Sequence, residues 1–146
     1  MRRLIGISML ALTLAALTPG IEAALISRIF EFKSGVTLEV GASTGDGLRL
    51  DTVRFQLPST VDGSFRSGGL ATATVAVSNT TETSGKVGIA IALFDDDGKL
   101  VGVASGGTKL TSIKSDRQKT FTLVFDHVNG EASRAKTFQV TLESRP

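Results

Sequence analysis

The chain has no cysteine, no tryptophan and no tyrosine, and only three prolines and one histidine among 146 residues. Each absence removes a class of explanation. Without cysteine there is no disulfide, no thiolate metal site, no thiol nucleophile and no lipid-modified cysteine to hold the chain to a membrane. The lone histidine, His127, cannot build a multi-histidine metal centre. Its neighbour Asp126 points to the opposite face of a strand, so the two do not form an Asp–His pair, and a surface residue at a strand end is the simpler reading. Proteins that grip sugars favour tryptophan or tyrosine, whose flat rings carry a polar handle. The eight phenylalanines fall mostly at core-like positions, which argues against a carbohydrate-binding module. There is no long basic run, so nucleic acid is not an expected partner.

The first residues read as an export signal. Arg2 and Arg3 precede an apolar, uncharged run of 14 residues, Leu4 to Leu17, which Pro19 and Gly20 break before Ile21, Glu22 and Ala23. A basic start, a short apolar stretch and small residues before a cut describe a secretory signal peptide. A spanning helix needs about 20 apolar residues, more than this run offers. Cleavage after Ala23 leaves 123 residues and no stable membrane anchor. Without Arg2, Arg3 and Glu22 the 16 basic and 14 acidic residues fall to 14 and 13, a net charge of +1. A chain of that size buries about two thirds of its unfolded surface in one core. The expected localisation is periplasmic, secreted or at the cell surface.

Past Ala24 the pattern has a period of two. "VTLEV" aligns Val36, Leu38 and Val40; "TATVAVS" aligns Ala73, Val75 and Val77; "KVGIAIALF" aligns Val87, Ile89, Ile91 and Leu93. "TFTLVFD" aligns Phe121, Leu123 and Phe125, and "TFQVTLE" aligns Phe138, Val140 and Leu142. Such alternation marks strands with one buried face. In "LRLDTVRFQL", Leu48 and Leu50 are one step out of phase with Val53, Phe55 and Leu57, which predicts a β-bulge or strand change near Asp51 and Thr52. Clusters of Gly, Ser, Asn and Asp separate the runs, as turns require. Eight or nine short strands without a helical period predict one antiparallel sandwich or barrel domain over residues 24–146.

Few residues suggest chemistry. Asp95, Asp96 and Asp97 form a weak calcium candidate, but calcium loops interleave their acids and consecutive acids at a strand end are expected to splay. Asp97–Gly98 is a strong hairpin signal, so a turn is the preferred reading. "GASTG", Gly41 to Gly45, has the G-x-S-x-G form, with Asp116 and His127 following Ser43 in hydrolase order. A nucleophile elbow needs a helix next, and "DGLRLDTVRFQL" reads as strand. Asn79 in "NTT" has the form of a glycosylation sequon. No cofactor is expected. Gly88, Ala90 and Ala92 form a smooth strip opposite the core face of their strand. Either the segment 28–40 covers the strip, which is the simpler expectation, or the strip packs against another protein or another copy.

Ile91, Ala92, Leu93, Phe94 and Asp95, followed by Gly98, resemble the Phe-x-Leu-Tyr-Asp signature of FxLYD-type and related immunoglobulin-like domains of secreted bacterial proteins. "ATVAVSNTTE" upstream and "LTSIKSDRQKTFTLVF" downstream extend the resemblance over about residues 69–142. It implies an immunoglobulin-like β-sandwich without catalytic residues. Three functions follow as expectations. The first is a non-catalytic module that binds another envelope or extracellular protein. The second is a self-assembling fibre subunit in which Ala24 to Val40 completes a neighbour's sheet. The third, a secreted hydrolase using Ser43 or residues 95–97, is the least favoured.

Overall fold

The structure is a computed structural model and describes residues 25–58, 70–126 and 132–145. The expected signal segment and His127 lie outside the described residues. Among the described residues eight strands form, in chain order: β1 (Leu25–Glu31), β2 (Thr37–Ser43), β3 (Leu48–Gln56), β4 (Thr72–Asn79), β5 (Lys86–Phe94), β6 (Leu100–Gly107), β7 (Arg117–Val124) and β8 (Thr137–Arg145). A single 3-10 turn, Ala132–Arg134, precedes β8. The strands make two antiparallel sheets, β1-β8-β5-β6 and β2-β3-β4-β7.

Alternation decides which side chains meet. From the first sheet come Val87, Ile89, Ile91, Leu93, Ala104, Phe138, Val140 and Leu142; from the second come Leu48, Leu50, Val53, Phe55, Ala73, Val75, Val77, Phe121 and Leu123. Burying each large side chain contributes about 1.5–3 kcal/mol. At one end Phe55 packs edge-on against Phe138 at 4.7 Å and meets Phe32 at 4.7 Å, while Phe30 stacks on Phe138 at 5.4 Å. These rings sit where the chain leaves β1 for the other sheet. Val36 departs from its expected phase: it precedes β2 and is exposed, because the parallel bridge of Ser34 to Phe55 turns the chain before the strand starts.

The phase slip in "LRLDTVRFQL" is a bulge. The register of β3 on β4 shifts between Leu50 and Thr52, so Leu48, Leu50, Val53 and Phe55 all reach the core. The expected sandwich is therefore formed, with eight strands. Its pairs interlock: β4 pairs β7 in one sheet and β5 pairs β8 in the other, each partner three strands further along. That interlock characterises the immunoglobulin-like sandwich. The flank of β8 opposite β5, where such domains place their last strand, is taken here by the first strand, β1.

Candidate functional site

The strip of Gly88, Ala90 and Ala92 lies on the outer face of the first sheet. Register places it in rows. Ser27 lies beside Thr141, then Ala90, then Ser105. The next row is Ile29, Gln139, Ala92 and Val103. Beyond it Phe94 stands between Thr137 and Leu100. On the other side Gly88 stands between Glu143 and Gly107, with Leu25 beyond Glu143. The two middle rows carry no charge. Ile29 is 67% exposed and Val103 57%, values that place two large apolar side chains in solvent on this one face. Their polar neighbours are partly self-satisfied: Gln139 Nε2 donates to Ser27 Oγ at 2.7 Å, and Ser27 and Thr141 hydroxyls lie 3.2 Å apart.

The expected cover over this strip is not what the segment 28–40 provides. Leu25–Glu31 pairs edge to edge with β8 through seven register partners, and Thr37–Ser43 joins the other sheet. The physical reason is main-chain satisfaction. A segment lying across a face leaves its N–H and C=O groups without ladder partners, whereas the edge of β8 supplies them. Among the described residues no element lies over Gly88, Ala90 and Ala92; Ala90 is exposed and the other two are half-buried.

The outer face of the second sheet is built differently. Thr37, Arg54, Thr74 and Thr122 form one row, and Glu39, Thr52, Ala76 and Thr120 the next. The bulge turns Asp51 to this face, where its carboxylate meets Arg49 Nε at 3.1 Å and accepts from Gln118 Nε2 at 2.9 Å and from the Ser78 hydroxyl. Both carboxylate oxygens of Asp51 are thereby committed to partners on the same face.

The acidic triplet forms a turn. Asp95 is 4% exposed and its Oδ1 accepts from the N–H groups of Asp97 at 3.1 Å and Lys99 at 2.8 Å. Its Oδ2 accepts from Arg134 at 3.1 Å, which fastens the 3-10 turn to the hairpin. The expected splay is not observed: ligand oxygens of Asp95, Asp96 and Asp97 lie within 4.8 Å of one another, because the Asx geometry at Asp95 curls the chain back. The oxygens of Asp95 are already used by protein donors, and Asp97 meets Lys99 at 3.3 Å. Gly98 takes the left-handed conformation at φ +74° that the hairpin requires.

Ser43 ends β2 opposite Arg49, and a tight turn leads straight into β3, so the strand-turn-helix context of an elbow does not form. Asn79 is 1% exposed: its amide donates to the carbonyls of Thr83 at 2.7 Å and Ile113 at 2.9 Å, and its Oδ1 accepts from Thr81. A sequon nitrogen held this way has no access to a glycan donor once the chain is folded.

Sequence reasoning missed two features. Asp46, in the β2–β3 turn, accepts from the hydroxyl of the buried Ser144 on β8 and from Thr44, joining the two sheets. Burial works to raise its pKa, but the hydrogen bonds from Ser144, from Thr44 and from backbone N–H groups outweigh it and hold the carboxyl below its ordinary value. The second is the edge of β6. Its segment "LVGVASGG" has no charge, and that signal was visible in the sequence.

The chain matches no family model and no curated protein with which it was compared. The FxLYD resemblance is neither supported nor opposed by this result.

Proposed function

We propose that the chain is an exported, non-catalytic module that binds another protein in the cell envelope or extracellular space through the outer face of the first sheet. One observation carries the reading: the two uncharged rows around Ala90 and Ala92, with Ile29 and Val103 in solvent. Burying those two rows removes apolar area from water, at about 25 cal/mol per Å², without stripping water from a charge. The polar groups exposed there are small hydroxyls and one amide, which rehydrate or pair across a contact at little cost. Localisation rests on the N-terminal signal reading. The non-catalytic reading is supported by the strand that follows Ser43 where an elbow needs a helix, and by the protein donors that already occupy both oxygens of Asp95.

The test is mild crosslinking in the source's own envelope and medium fractions, followed by capture of the tagged protein. A stoichiometric partner whose crosslinks map to β1, β8, β5 or β6 supports the reading. Crosslinks confined to the threonine-rich second sheet, or hydrolytic activity abolished by Ser43→Ala, would overturn it.

A further inference from the structure

The two sheets have four edges, and three of them are blunted. β1 directs Arg28 toward the inner face, opposite Val140, where a charge discourages an added strand. β2 carries Glu39 and a register shift between Glu39 and Ala42, with Gly41 at φ +62°. β7 carries Arg117 and Lys119. Charges, inward-pointing charged residues and bulges are the devices that keep sheet edges from pairing. β6 has no charge and no proline along its length, and its one register shift lies at the hairpin end, against Leu93 and Phe94. Among the described residues no strand lies beyond it.

The main-chain groups on that edge can be assigned. Thr108 N–H donates to Val87 O at 2.9 Å, so the hydrogen-bonded pairs of this ladder are Ile89 with Gly106, Ile91 with Ala104 and Leu93 with Gly102. By alternation, Val103 and Ser105 turn their N–H and C=O groups outward from the sheet. Their side chains stand on the uncharged outer face.

We infer that β6 is the self-association edge of this protein, where a second copy of the chain pairs antiparallel with it about a twofold axis at Ala104. Val103 of each copy then exchanges both main-chain hydrogen bonds with Ser105 of the other. Ala104 meets its own counterpart in the closer, non-hydrogen-bonded position, where a methyl side chain fits. An edge without charge meets its own copy without like-charge repulsion, which none of the other three edges offers to the same degree. The twofold axis runs perpendicular to the sheet, so the outer faces of both copies, with their uncharged middle rows, lie on one side. The whole outer face, four strands at about 4.8 Å spacing and about seven residues at about 3.3 Å rise, covers roughly 400 Å², with the uncharged rows at its centre and Glu143 and Glu31 toward its two ends. Two joined copies present roughly 800 Å², the area per partner of a standard stable interface. This inference rests on the interaction reading above and supplies the area that the single face lacks.

The test is sedimentation velocity of the purified protein over a concentration series, with amide hydrogen exchange read at each concentration. The expected result is a monomer–dimer equilibrium in which the amides of Val103 and Ser105 gain protection as dimer forms. Val103→Lys with Ser105→Lys places two like charges opposite each other and should weaken self-association by at least about a hundredfold. Thr120→Lys with Thr122→Lys, the same added charge on the exposed face of the other sheet, should leave it unchanged. A protein monomeric at every concentration overturns the inference, as does a dimer indifferent to the double lysine variant. A monomer that still crosslinks a foreign partner on the first sheet overturns the dimer alone and leaves the interaction reading standing; a dimer without any foreign partner does the reverse.

Discussion

The outer faces of the two sheets are built from the same alternation and end in opposite surface chemistries. On the second sheet, Arg49, Ser78 and Gln118 all bind Asp51, and Arg54 and Glu39 stand among threonines. On the first, the middle rows hold Ala90, Ala92, Ser105, Val103 and Ile29. A strand's solvent-facing positions need only be compatible with water, and both faces meet that condition. They differ in what it costs to remove the water. The second face would surrender the hydration of several ions. The first would surrender little, and it gains apolar contact. On the proposed reading, contact falls to one side of a sandwich whose folding demands are shared by both.

The comparison can be broken most severely at Gly107. Its φ is +145°, and a Cβ built there falls 2.1 Å from Val87 O. Gly107→Ala should cost about 3 kcal/mol, from backbone strain plus the clash with β5. The expected signature is local: hydrogen exchange rises along β6 and at the facing residues of β5, while β3 and β4 stay protected. Uniform loss of protection would mean that the two sheets do not respond separately.

A smaller effect is expected on the second face. Asp51→Ala leaves Arg49, Ser78 and Gln118 without their shared acceptor and should cost about 1–3 kcal/mol in chemical denaturation. Partner capture should be unaffected. Loss of capture by a variant that remains folded would assign the contact to the wrong sheet.

Much of this was legible in the sequence. Alternation in "KVGIAIALF" and "TFQVTLE" gave the buried sets directly, and the phase slip at Asp51 located the bulge that turns its carboxylate outward. Asp97–Gly98 announced its hairpin. What alternation does not encode is the neighbour. It marks Gly88, Ala90 and Ala92 as the outer side of a strand, but not that β1 lies beside β8 instead of over β5. Nor does "NTT" distinguish a surface sequon from a buried amide, since Asn79 is enclosed by Ile113, 34 positions away. The Asp46–Ser144 tie spans 98 positions and left no local trace.

That tie provides an acid-sensitive joint between the sheets. The folded-state pKa of Asp46 is depressed, so the unfolded chain binds its proton first as pH falls. The stability it contributes is fully present above the ordinary carboxylate value, about 3.9, and is lost as pH drops through the lower folded value. Asp46→Asn should therefore flatten the acid limb of a stability–pH curve below about pH 4 and leave the curve's shape near pH 7 unchanged. An unaltered acid limb would show that other carboxylates dominate it.

The smallest effect on stability, and the sharpest on the comparison, is expected from one charge placed on each face in turn. Ala90 is exposed in the middle of the first face, between Thr141 and Ser105. Thr122 is exposed on the second face beside Thr74. Lysine at either position reaches solvent, so Ala90→Lys and Thr122→Lys should each move folding stability by no more than about 0.5 kcal/mol. If both faces were inert, partner capture and self-association would be equal in the two variants. If the first face is the contact surface, Ala90→Lys forces an ammonium group into a dehydrated interface and should abolish capture, while Thr122→Lys captures as the parent does. Equal stability with unequal binding separates a residue that folds the protein from one that makes its contact, and thermal unfolding run alongside the capture assay reads both quantities from the same preparation.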